Sequence, residues 1–172
     1  YISASPFVYQ DMMGLSSMAY GIAFGCNAFA LMIVSGIAAR LAATRSVSGM
    51  LAAGVGLMTT GVIVVGVLVA AGVDPIWLSV PLFFTVASLG LILGNATALA
   101  LGAVPAAAGS ASAVLGALQF GLAAVVSPLV GLGGEDTAAP MAIVMAASAL
   151  IAVVALLASR APHHQGVRPL VG

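Results

Sequence analysis

The stretch GLILGNATALALGAVPAAAGSASAVLGALQFG, residues 90–121, decides the fold, because it joins two very apolar segments through a charge-free turn and holds two amide side chains. Gly90, Gly94, Ala98 and Gly102 fall four apart and on a helix make a ridge of small residues where another backbone can approach closely. Pro105 disfavours a helical conformation in the residue before it and so ends the first arm at about Val104. Gly109 with Ser110 or Ser112 then restarts the chain and caps a second helix. A helical hairpin results. Asn95 and Gln119 lie near the middle of its two arms, where an amide facing lipid would be costly without a partner. Both must therefore face protein, water or ligand.

The chain around this hairpin is equally apolar. It is 63% hydrophobic and 5% charged, with mean hydropathy +1.27, against about 45–50% apolar and about 25% charged in soluble domains. This composition makes it an integral membrane protein whose principal partner is the lipid bilayer. Its four arginines and four acids give zero net charge, and it has no lysine, so no basic patch argues for nucleic acid. The single cysteine, Cys26, forms no intrachain disulfide, and His163 and His164 stand together in a polar tail with no second ligand cluster. No metal site or bound cofactor is expected. Serines and threonines occur without a His or acid at comparable depth, leaving no hydrolytic triad and no carboxylate pair. No catalytic residue is therefore assigned, and the expectation is a protein that is not an enzyme.

In chain order, residues 1–10 (YISASPFVYQ) are about half the ~20 residues needed to cross hydrocarbon and read as the outer end of a partial helix. Residues 11–17 form a polar loop with Ser16 or Ser17 as N-cap. Full spans follow at about 18–39, 49–72, 78–104, 110–132 and 140–159. Residues 1–160 thus form one transmembrane bundle, and 161–172 a polar tail. The first full span carries Gly21 and Gly25 in GxxxG spacing and places Tyr20 and Asn27 seven apart on one face. Thr59 and Thr60 of the second can bond back to their own helix. Pro128 should bend the second hairpin arm by freeing the carbonyl of Ala124.

Charge placement fixes an orientation. Arg40, Arg45, Arg160 and Arg168 fall on one side of the five-span plan, and Asp11, Asp74, Glu135 and Asp136 on the other. The positive-inside rule makes the arginine side cytoplasmic, the C-terminus included. Polar residues at membrane depth are few and uncharged, and function is expected from them. Thr85, Ser88 and Asn95 share one stripe of the first hairpin arm, Ser112 and Gln119 one face of the second. Asn95 and Gln119, then Asn27, Ser88 and Tyr1, are the candidates for lining a cavity; Gly21, Gly25, Gly90, Gly94 and Gly102 are the candidates for close helix packing.

The segments YISASPFVYQ (1–10), FGCNA (24–28) and above all GNATALALGAVPAAAGSASAVLGALQFGLAAVVSPLVG (94–131) resemble helices seven, eight, ten and eleven of the Bcr/CflA-type drug:proton antiporters of the major facilitator superfamily. The resemblance implies an all-α polytopic bundle, the C-terminal six-helix half of a twelve-helix fold, of which five full spans and a half span are present. It implies multidrug efflux of small apolar or amphipathic drugs across the bacterial cytoplasmic (inner) membrane, driven by the proton gradient. The proton-coupling acid would belong to the N-terminal half, the partner of this one across a midplane site. It further implies that the spans at 49–72 and 140–159 are peripheral. In the loop 36–45, Arg40 stands where the family's signature loop has an aspartate. Two other readings fit the same residues: a facilitator-superfamily importer or facilitator of a small metabolite, and a truncated remnant that does not transport.

Overall fold

A computed structural model of the chain describes residues 1–131 and 138–160. Five helices among them are long and apolar enough to cross a membrane: α1 (Ser17–Leu41), α2 (Val47–Ala70), α3 (Ser79–Gly102), α4 (Ala108–Gly131) and α5 (Ala139–Arg160). No strand occurs among the described residues. The fold is an all-α membrane bundle. A 24-residue helix such as α2 is about 36 Å long at 1.5 Å per residue, enough for a hydrocarbon core of about 30 Å. The acidic pair Glu135 and Asp136, Leu132 at the expected end of the second arm, and the tail 161–172 with its histidines and Arg168 lie outside the described residues.

Local chemistry explains the helix ends. Ser16 and Ser46 cap α1 and α2, their hydroxyls accepting from the backbone N–H of Ala19 and Gly49 at 3.2 Å each. Helix α2 stops at a left-handed glycine: Gly72 has φ +63°, its N–H donates to Val69 O and that of Val73 to Leu68 O, both at 3.2 Å. These two bonds satisfy carbonyls that the helix would otherwise leave open. Pro75 then starts a 3-10 turn, Pro75–Leu78, capped by Asp74, whose carboxylate accepts from Ile76 N–H.

Two junctions differ from the sequence expectation. The second hairpin arm begins earlier than Ser110: Pro105 opens a 3-10 turn, Pro105–Ala107, that runs directly into α4. Proline's fixed φ and absent N–H suit a first helical position, so no serine cap is needed, and the Ser110 hydroxyl instead donates to Ala107 O at 3.0 Å. At the other end of the chain, the helical segment continues past residue 10 as a π turn, Phe7–Met12, in which Met13 N–H reaches Val8 O at 3.1 Å. Asp11 therefore sits on a helix rather than in a loop.

Helix α3 is the centre of the bundle, packing on α2, α1 and α4, while α5 returns to α2 more closely than to α4. The α2–α3 interface is keyed by two notches. A Cβ on Gly54 would lie 2.8 Å from Leu91 Cβ, and one on Gly61 would strike the Thr85 hydroxyl. The helices are antiparallel neighbours, so residues seven apart on α2 meet residues about seven apart on α3. Gly90 does the same for α1: its Cβ would come 2.8 Å from both Leu31 O and Ser35 N. At Gly21, Gly25, Gly94 and Gly102 no atom of a neighbouring element lies within 4 Å of that position. Among the described residues the close-packing glycines are thus Gly54, Gly61 and Gly90.

The apolar core gathers at one end of the bundle, where Val8 and Tyr9 of the first segment meet Val65, Leu78, Leu82 and Met141. Asp11 and Asp74 belong to this same end, since the π turn and the 3-10 turn touch. Arg40 and Arg45 are at the opposite end of α1 and α2. Trp77 is exposed near the acidic end, as an interface-seeking aromatic would be.

Candidate functional site

The N-terminal segment is held to the bundle by hydroxyls and an amide. Ser5, fully buried, donates to Ile2 O at 2.9 Å and shares a 3.1 Å hydrogen bond with the Tyr20 hydroxyl. Asn27 Nδ2, one face and seven residues further along α1, donates to the Tyr1 hydroxyl. Ser3 bonds across to Ser127 of α4, one residue before Pro128. Tyr9, Tyr20 and Phe24 pack alongside with their rings tilted to one another and centroids 6.0 and 5.9 Å apart. In hydrocarbon such bonds are the alternative to unsatisfied polar atoms, and here they fix where the segment lies.

Between this segment and helices α1, α3, α4 and α5 is a cavity of about 400 Å³, inside the roughly 300–1,000 Å³ typical of small-molecule sites. Its polar lining is Tyr1, Ser3, Asn27 and Ser127; Phe24, Leu31, Val86, Leu89 and Val126 supply most of the rest. None of its lining residues carries a charge. Its walls can shelter an apolar or aromatic body and meet it with a few hydrogen-bonding groups.

Of the five residues expected to line a cavity, the structure brings two together here, Tyr1 and Asn27. Asn95 is 6% exposed and lines a separate, smaller space of about 240 Å³ between α1 and α3, beside Gly90 and Gly94. Its Nδ2 donates to Leu91 O at 2.7 Å. Ser88 is fully buried with its hydroxyl on Thr85 O at 2.6 Å and borders neither space. Gln119 is exposed on α4, outside both cavities and without a hydrogen bond to the described residues. Ser3, Phe24 and Ser127 line the cavity without having been singled out from the sequence. Phe24 had a signal, since residues 24, 27 and 31 share one face of α1. For the two serines, the approach of segment 1–13 to α4 is what creates the role.

The spans expected to be peripheral divide. Helix α2 contributes no residue to the larger cavity, and α5 contributes only Val144. Yet α2 is well packed, whereas the most hydropathic window of α4 has no buried residue at all.

Comparison with curated proteins finds relatives over nine-tenths of the chain. It is 34% identical over 157 residues to the uncharacterized MFS-type transporter YdgK of Bacillus subtilis (strain 168), covering 90% of this chain and 38% of that protein. It is 28% identical over 157 residues to the bicyclomycin resistance protein homolog of Haemophilus influenzae, covering 90% of this chain and 39% of the relative. The chain thus spans well under half the length of these relatives. No family model matches it, and no solved structure does.

Proposed function

We propose that this chain, similar over nine-tenths of its length to an MFS-type transporter and to a bicyclomycin resistance protein homolog, is the C-terminal half of a multidrug efflux antiporter of the bacterial cytoplasmic membrane. Small uncharged amphipathic compounds are its cargo, and the proton gradient drives their exit. The observation that carries this reading is the uncharged cavity floored by Tyr1 and Asn27: apolar walls with a few hydrogen-bonding groups accept many ligands of moderate polarity. The name of the Haemophilus relative, a resistance protein homolog, supports efflux over uptake.

The larger cavity has no acid in its lining, so the group that takes and releases the proton is assigned to the N-terminal half, which completes the pathway. Gln119 and the exposed face of α4 are assigned to that junction, because a lipid-facing amide would be costly. Asn95 and Ser88 serve the packing of α3. Residues 1–160 act as one bundle with the C-terminus cytoplasmic.

The test is resistance. The full-length protein carrying this chain, expressed in a drug-sensitive bacterium, should raise tolerance to several unrelated neutral compounds, and a protonophore should abolish the difference in drug accumulation. The chain by itself should give none, and co-expression with its first half should restore it. No gain in tolerance from well-expressed full-length protein would sink the efflux reading.

A further inference from the structure

We propose that the Asn27 carboxamide is the ligand-orienting group of the cavity, its Oδ1 accepting a hydrogen bond from an N–H or O–H of an uncharged aromatic ligand. This rests on the transport reading for its biological sense, though the site itself is a statement about binding. Asn27 is only 4% exposed and lines the cavity. Its Nδ2 is engaged by the Tyr1 hydroxyl, and no described residue donates to its Oδ1. Among the described residues no buried side-chain oxygen or nitrogen lacks a partner, so the Asn27 oxygen is not sealed in the protein. Of the two spaces described, the larger is the one that Asn27 lines.

The other polar groups of the lining are already paired. Ser3 and Ser127 bond to one another, and the Tyr1 hydroxyl holds Asn27. The Asn27 oxygen is a side-chain acceptor of the lining that no described residue engages, in surroundings of Phe24, Leu31 and Leu89. An apolar ligand body filling the cavity excludes water from that oxygen, and a ligand with no donor then leaves it unsatisfied. Discrimination follows from that penalty: a site built around a buried acceptor favours the compound that supplies the matching donor. The Tyr1 bond keeps the amide from rotating away, so Tyr1 acts as a positioning residue. A cationic ligand finds no carboxylate in the lining to offset the loss of its hydration.

The experiment uses the purified full-length protein and two fluorescent probes that share one aromatic body, naphthalene-2-carboxamide and its N,N-dimethyl counterpart, which lacks the N–H donors. The unmodified protein should bind the primary amide about tenfold more tightly, the worth of one net hydrogen bond. Asn27→Leu should reduce that ratio to near one by weakening the primary amide while sparing the dimethyl compound. Ser148→Ala, on α5 and outside the cavity, should leave the ratio unchanged. Should Asn27→Leu fail to yield folded protein, Asn27→Ala is measured in its place with the same expectation. An equal affinity of the two probes for the unmodified protein, a ratio that survives loss of Asn27, or no binding of either probe would overturn the proposal. A preference that vanishes with Asn27 in a protein conferring no drug tolerance would retire efflux and leave the binding site standing.

Discussion

Two glycines four residues apart on α3 have opposite surroundings, and the difference is measurable. At Gly90 an added Cβ meets the backbone of α1 at 2.8 Å, where nothing can rotate aside; at Gly94 it meets nothing within 4 Å. Gly90→Ala should therefore destabilise the protein by about 1–3 kcal/mol through forced separation of α1 and α3. Gly94→Ala should be neutral or stabilising, by up to roughly 1 kcal/mol, since alanine is the better helix former. Thermal melts of the two variants in one detergent decide it, and equal losses would refute the packing described. The sequence showed a ridge at 90, 94, 98 and 102 but not which member of it is used, because α1 and α3 touch at Gly90 and stand apart at Gly94 and Ala98, which face α1 across the smaller cavity. Gly54 and Gly61 were hidden for a related reason. They are seven apart and outside any GxxxG pair, and their significance appears only when Thr85, Leu91 and Ile92 are brought opposite them. Asn27 and Tyr1 were legible as costly polar groups in an apolar chain. Ser3 and Ser127 were not, since a serine in a helix can always satisfy itself locally.

Among the elements, α4 is the one least committed to its neighbours. Its contacts with α3 and α5 are sparse, and Pro128 lies inside it. A proline there removes one N–H, leaves the Ala124 carbonyl without its helical partner and destabilises the helix by about 3 kcal/mol. Ser127, just before the break, is the residue tied to Ser3 across the cavity. Pro128→Ala should restore the missing bond and stiffen this end of α4. The expected outcome in the full-length protein is a higher melting temperature together with a slower transport rate, read by melting and by drug accumulation on the same preparation. A rate that rises with stability would refute a role for the break in movement. Helix existence was plain from composition and length; the junctions at Met12 and Pro105 were less so. A π turn leaves no periodic trace over six residues, and a proline that begins a helix looks, in sequence, the same as one that ends the helix before it.

For the whole molecule, the described residues place Asp11 and Asp74 at one end and Arg40 and Arg45 at the other, which leads to a labelling experiment. In a Cys26→Ala background, Thr44→Cys and Val73→Cys lie at opposite ends of α2. Val73→Cys should react with an impermeant thiol reagent on intact cells, and Thr44→Cys only after the membrane is opened. Labelling of both on intact cells would refute the single crossing assigned to α2. The separation of Arg40 and Arg45 from Asp11 and Asp74 was legible from span lengths alone, and the positive-inside rule adds the sidedness that the labelling tests. How the helices pair was out of reach by that route, and it has a bearing on how the chain is made. The α2–α3 interface joins neighbours in sequence and is keyed at Gly54 and Gly61, so a ribosome that has delivered α3 to the membrane has already delivered both sides of it. Helix α4 arrives next and finds little to hold it. The return of α5 to α2 then closes the bundle across it. Birth order and packing strength are thus out of step by one helix, and α4 is the element whose seat within the described residues is made last.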